Sequence, residues 1–331
     1  MRLPRLSPTA YRRVVIVALA ALVLITVTGA AVRLTGSGLG CPTWPSCEPD
    51  SFTPHTASDT HGMIEWINRQ ITGLVAVPTL AAVVGARRRR PYRRDLFRTS
   101  LGLPAWVAAN AVVGAMVVEL DLSPVSVIAH FLLSLGAIGN AVVLLARASV
   151  DDAVAPGAGP GPAAAVRRRR QGTPTVVSLC RLLLVAAGLV LVTGTLVTGS
   201  GPHAGDDRAD RLPLDVHEVV RFHGIAMVLF LTLTLVIVRL AARGDAAPEV
   251  GRRLHVLLVV LVGQAAIGYW QYFAGVPALL VGFHVFGATL VWIAVLQVWL
   301  GLTVWEPAPV PDVEAAAAGP VTAAPARATT V

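Results

Sequence analysis

Glu65 and Arg69 stand four residues apart in the stretch Glu-Trp-Ile-Asn-Arg-Gln (65–70), within a segment whose apolar residues suit lipid. Ionisable side chains at membrane depth are costly and face a partner or a site rather than the bilayer. Glu65, Asn68 and Arg69 fall on one helical face, at i, i+3 and i+4. A carboxylate so placed can move a proton or stabilise charge that develops beside it. The plainer alternative is an i, i+4 ion pair near the interface, worth about 0.3–0.5 kcal/mol where exposed.

Histidine is the second chemical signal, because a neutral imidazole is the commonest protein ligand for haem iron and has little other use in lipid. Of the eight histidines, His55 and His203 fall in polar loops and His255 at a helix start, where ordinary roles suffice. His130 and His284 differ: each follows a proline that opens an apolar run, Pro124 and Pro277, by six and seven residues. His223 lies at a similar depth in another run. One such residue would read as a core histidine bonded to a neighbouring helix, but three at matched depth favour ligation. On facing helices, His223 and His284 would supply both axial ligands of a low-spin b-type haem. By the same logic His130 would face a position within the 65–70 stretch.

The elements that must hold these residues are membrane helices. The chain has 331 residues, 55% hydrophobic and 14% charged, with mean hydropathy +0.68, which excludes a water-soluble domain. Runs of about 20 apolar residues begin near Val14, Ile64, Thr99, Leu122, Val176, Val219, Leu254 and Pro277, giving eight candidate spans. Arginines at 2, 5, 12, 13, 87–90, 93, 94, 167–170, 243, 252 and 253 then fall on one face. The positive-inside rule makes that face, with both termini, cytoplasmic. It also explains the net charge of +8 better than nucleic-acid binding does, since the arginine runs abut apolar spans. The uncharged run Val14–Val32 outlasts the 7–15 residues of a signal-peptide core, so the first span is read as retained.

Between 148 and 175 the chain turns to Ala, Gly, Pro and Arg, a composition expected to form a cytoplasmic linker. It separates an N-terminal unit (1–147) from a C-terminal unit (176–305), each with four spans, followed by a tail (306–331) expected to be disordered. The halves echo one another: GAAVRLTGSGLG closes the first span and GTLVTGSGPHAG the fifth, a parallel repeat about the membrane normal. Cys41 and Cys47 flank PTWPS in the first external loop, where a disulfide is favoured over two free thiols or a metal site. Cys180, in the fifth span, suits a small apolar role.

GAAVRLTGSGLGCPTWPSC, IEWINR, VVRFHG, TGSGPHAGD and FHVFGATLVW, in this order, resemble the haem A synthase family over nearly the whole chain. The resemblance implies an all-α polytopic membrane protein of two pseudosymmetric four-helix bundles that oxidises a methyl group of haem O to the formyl group of haem A. It implies a haem b, with its iron, in the C-terminal bundle and the substrate haem in the N-terminal bundle. Carried over residue by residue, His223 and His284 match the haem b ligands, His130 a substrate-iron ligand and Glu65 the family's glutamate. Arg69 would then pair with a haem propionate or a neighbouring carboxylate. Asn68 departs from the family, which has a second substrate-site histidine there. The implied partners are haem O synthase, a membrane electron donor and possible further copies of the chain, with cytochrome oxidase assembly the context. A diheme b-type electron-transfer protein and a transporter are the alternatives from other functional classes.

Overall fold

The computed structural model describes residues 5–55, 60–155 and 166–307. Eight α-helices carry the architecture: α1 (Pro8–Leu34), α2 (Thr60–Arg88), α3 (Arg94–Glu119), α4 (Pro124–Ala148), α5 (Pro174–Ser200), α6 (Val216–Leu240), α7 (Pro248–Phe273) and α8 (Ala278–Gly301). All eight are long and apolar enough to cross a membrane. Even the shortest, with 24 residues, exceeds the roughly 30 Å hydrocarbon thickness at 1.5 Å per residue. The protein is an all-α polytopic membrane protein.

Helix starts are written in local chemistry. Ser7, Thr173 and Asp215 cap α1, α5 and α6 by accepting from Ala10, Val176 and Glu218 backbone N–H groups. Proline occupies the first turn of α1, α4, α5 and α7, where its missing donor costs nothing. Several helices begin earlier than their apolar runs: α1 at Pro8 rather than Val14, α2 at Thr60 rather than Ile64, α3 at Arg94 rather than Thr99. An apolar window registers only the lipid-facing length, whereas the hydrogen-bonded helix continues through a polar turn to its cap.

Helix α1 packs on α2 and α4, and α3 closes the ring between them; α5, α6, α7 and α8 form a second ring in the same order. The rings meet where α4 touches α5 and α8, and where α1 touches α8. At this seam the Trp292 indole of α8 donates to the Leu135 carbonyl of α4 at 3.0 Å. Gly139 of α4 lies beside the same indole. Two apolar cores result, one around Tyr11, Leu96 and Ile138, the other around Phe230, Ile237 and Leu257.

Two short strands differ from the expectation of an unstructured linker and tail. Val166–Arg170 (β1) pairs antiparallel with Thr303–Pro307 (β2), with Arg168 opposite Trp305. Glu306 takes ion pairs from Arg167 at 2.6 Å and Arg169 at 2.8 Å. The same edge continues as Gln171 N–H donates to the Leu302 carbonyl and Thr173 N–H to the Asp245 carbonyl. Composition alone gives four consecutive arginines no partner; the chain supplies one from more than 130 residues away. Residues 156–165 of the expected linker and 308–331 of the expected tail lie outside the described residues.

At the same arginine-rich end, Arg89 and Arg93 are almost wholly buried. Arg89 pairs with Asp152 at 2.6 Å and Arg93 with Asp95 at 2.8 Å. The Arg89–Asp152 pair, with Arg93 donating to the Val150 carbonyl at 3.2 Å, binds the α2–α3 turn to the segment after α4. The disulfide-bearing loop closes the opposite end.

Candidate functional site

The first set of site residues lies on α2 and the loop before it. Glu65 is buried, 5% exposed. Its Oε2 accepts from the Cys41 backbone N–H at 2.8 Å, and its Oε1 accepts from Arg69 Nη2 at 2.5 Å and Nε at 3.2 Å. Arg69 also donates from Nη1 to the Thr43 and Ser46 carbonyls, at 2.6 and 3.0 Å, and from Nη2 to the Cys41 carbonyl at 3.2 Å. Of the two partners expected for Arg69, the one found is the neighbouring carboxylate, and the pair is far from an exposed surface bridge. The loop that both residues grip is closed by the Cys41–Cys47 disulfide. It lies hard on α2: a methyl at Gly40 would stand 2.4 Å from the His61 carbonyl, so only glycine fits.

One turn further, Asn68 presents a buried Oδ1 with no hydrogen-bond partner, and His130 on α4 has a buried Nδ1 in the same condition. The His130 backbone is held by Ser134, which donates to its carbonyl at 3.0 Å and to Asn110 Oδ1 at 2.9 Å. A buried polar atom left unpaired costs about 1–3 kcal/mol, so Asn68 Oδ1 can receive a ligand group, whereas His130 turns its Nδ1 edge to Gly114 of α3 and leaves Nε2 as the nitrogen that could ligate. His61 is exposed, and its Nδ1 meets the Ser37 hydroxyl at 3.0 Å.

The second set lies between α6 and α8. The rings of His223 and His284 stand 6.4 Å apart between centroids, with their planes at 79°. Two metal–imidazole bonds of about 2.0 Å, in line, bring two imidazole centres to roughly 6 Å, so this pair fits axial ligation of one iron. Thr193 of α5 meets His223 Nδ1 at 3.1 Å, an interaction that fixes a ligating ring and its tautomer. His284 Nδ1 is buried and unpartnered, while Gln264 of α7 donates to the His284 carbonyl at 2.8 Å.

A feature absent from the sequence reading recurs at His130, His223 and His284, all half-buried. Each lays its Cε1 edge on a glycine of the preceding helix. A methyl would come within 3.3 Å of His130 at Gly114, 3.1 Å of His223 at Gly194 and 3.0 Å of His284 at Gly268. The available signal was a glycine within an apolar span, which usually has a packing reason. The other histidines take ordinary partners: His55 meets Asp50, His203 the Val276 carbonyl and His255 the Gly251 carbonyl, while His217 is exposed. Among the described residues no cluster of three or more His, Cys, Asp or Glu could hold a bare metal ion, and a porphyrin-borne iron needs none.

Comparison with known proteins follows the same lines. A family model described as cytochrome oxidase assembly protein, COX15-CtaA, matches residues 12–205. The heme A synthase of Halalkalibacterium halodurans is 26% identical over 274 residues, covering 81% of this chain and 87% of that protein. The heme A synthase of Lysinibacillus sphaericus is 32% identical over 129 residues, 38% of this chain and 39% of its own length. That of Bacillus licheniformis is 27% identical over 125 residues, 38% of this chain and 40% of its own.

Proposed function

This chain belongs to the cytochrome oxidase assembly protein family COX15-CtaA, and from that premise we propose that it is a haem A synthase, a membrane oxidoreductase that converts a methyl group of haem O to the formyl group of haem A. The observation that carries the reading is the inequality of the two halves. One offers paired imidazoles, His223 and His284; the other offers one half-buried imidazole, His130, and the unpartnered amide oxygen of Asn68. A resident haem benefits from two strong axial ligands, whereas a haem that must enter, react and leave is better held by one. A diheme relay would favour the same ligation at both sites. Transport would favour interrupted helices at the midplane.

In this assignment His223 and His284 would hold a haem b and its iron, with Thr193 orienting the first ring. When bound, that haem supplies the one-electron chemistry that side chains lack. His130 would hold the substrate haem, and Asn68 would add no second strong ligand, because an amide oxygen is a weaker ligand for iron than imidazole. Glu65 stabilises charge beside the substrate or moves a proton. The arginine-rich end lies in the cytoplasm, by the positive-inside rule, which places both termini there and the disulfide loop outside. Haem O synthase supplies the substrate and a membrane donor supplies electrons.

Pigment extraction tests the assignment. The full chain, produced in a host that makes haem O but no haem A, is expected to yield haem A. Unchanged haem B as the only pigment would support the relay instead, and absence of haem would support transport. Within the same assay Asn68→Ala is expected to keep substantial haem A formation, while His130→Ala and Glu65→Ala lose nearly all of it. Loss in Asn68→Ala equal to that in His130→Ala would show that the amide is a working ligand.

A further inference from the structure

We propose that Arg69 is a positioning residue: it locks the Cys41–Cys47 ring onto α2 and thereby fixes the carboxylate of Glu65, so that closure of the ring and placement of Glu65 form one unit. The proposal rests on the role given above to Glu65.

A guanidinium has five N–H donors in a rigid fork, and Arg69 makes five hydrogen bonds: two to Glu65 Oε1 and one each to the carbonyls of Cys41, Thr43 and Ser46. Nothing of the fork remains for a carboxylate brought by a ligand. Cys41 is gripped twice, since its N–H goes to Glu65 Oε2 and its carbonyl to Arg69 Nη2. The residue that closes the disulfide therefore also carries the backbone groups that hold both charged side chains. All three carbonyls that receive Arg69 lie within the ring from 41 to 47, and the disulfide limits how far they can separate.

The physical coupling follows. A buried carboxylate needs its countercharge and its hydrogen bonds together, and charge-assisted bonds are the strong ones. Opening the ring frees the Thr43 and Ser46 carbonyls to drift, which removes acceptors from one side of the guanidinium and lets it turn. Glu65 then loses the direction of its Oε1 contact and, as Cys41 moves, of its Oε2 contact. Lysine cannot replace this, because a single ammonium cannot span three carbonyls and a carboxylate.

The test uses the full chain in lipid nanodiscs, and two of its readouts need no haem. In the first, the protein is exposed briefly to a phosphine reductant and the freed Cys41 and Cys47 are labelled with maleimide. Reduction is expected to be about tenfold faster in Arg69→Lys and Arg69→Gln than in the parent, the factor that matches loss of one charge-assisted hydrogen bond. In the second, the infrared carboxylate band of Glu65, identified through Glu65→Gln, is followed. It is expected to shift on reduction of the parent, to be shifted already in oxidised Arg69→Lys, and to move no further when that variant is reduced. An unchanged reduction rate in both Arg69 variants, or a Glu65 band indifferent to the disulfide, overturns the proposal. Should the Arg69 variants fail to fold, the double variant Cys41→Ser/Cys47→Ser must show the shifted band, and the parent band there overturns it equally. Failure to form haem A with the coupling intact would overturn the functional reading and leave the coupling standing.

Discussion

At the scale of single residues, the site is defined as much by what side chains lack as by what they touch. His223 and His284 have a separation suited to a shared iron, so truncating either to alanine is expected to abolish the bis-imidazole optical and EPR signature of the purified protein. His217→Ala, altering an exposed ring on the same helix, should keep it. The glycine contacts supply a second test. Gly268→Ala and Gly194→Ala insert a methyl where His284 and His223 already lie within 3.0 and 3.1 Å. Overpacking of this kind costs about 1–3 kcal/mol, and with the rings displaced the haem b content should fall well below that of the parent. Gly188→Ala, also on α5 but facing open space, should be neutral in the same absorbance assay. The histidines were legible in the sequence because their depth repeats from half to half; the glycines were not, since spacing gives no sign of which neighbour an apolar helix presents to a ring. Glu65 and Arg69 were legible as a pair on one face. Their grip on the disulfide loop was not, because it is made through backbone carbonyls, which have no signature in side-chain identity.

At the scale of elements, the helices were read almost completely and the ribbon was missed. Apolar length marks a span regardless of context, so all eight helices were visible from composition, and only their capped ends extended beyond expectation. Strand β1 is the opposite case, since Arg167–Arg170 carries no apolar alternation and acquires its structure from β2. The arginines beside Glu306 hold its carboxyl below the usual carboxylate range, Arg169 foremost. A lowered carboxyl contributes its stabilisation above the unfolded pKa and loses it as pH falls through the folded value. The protection of backbone amides in 167–170 and 303–306, taken relative to their intrinsic exchange rates, is therefore expected to fall on acidification through that lowered range, while the helix cores stay protected. Glu306→Gln should exchange faster at neutral pH and show little of this pH response; an undiminished response in the variant would assign it to another group.

At the scale of the whole molecule, two helical rings share a seam formed by α1, α4, α5 and α8. The Trp292 indole crosses it to the Leu135 carbonyl. Trp292→Phe removes that bond and should cost about 1 kcal/mol, whereas Trp292→Ala also opens a cavity and should cost about 3–5 kcal/mol. Thermal unfolding in detergent would rank the variants; equal loss in both would assign the effect to the hydrogen bond alone. The ribbon has a topological consequence at this scale. Strand β1 enters α5 and strand β2 leaves α8, so the C-terminal ring has its two ends tied together by its own backbone. Such a unit is suited to circular permutation: joining 307 to 166 by a short turn and opening the chain at an α5–α6, α6–α7 or α7–α8 loop preserves every ladder bond. By the same reasoning, a gene divided between 155 and 166 yields two polypeptides of which the second already holds its own ends. The pair would then reassemble along the seam as a two-chain protein.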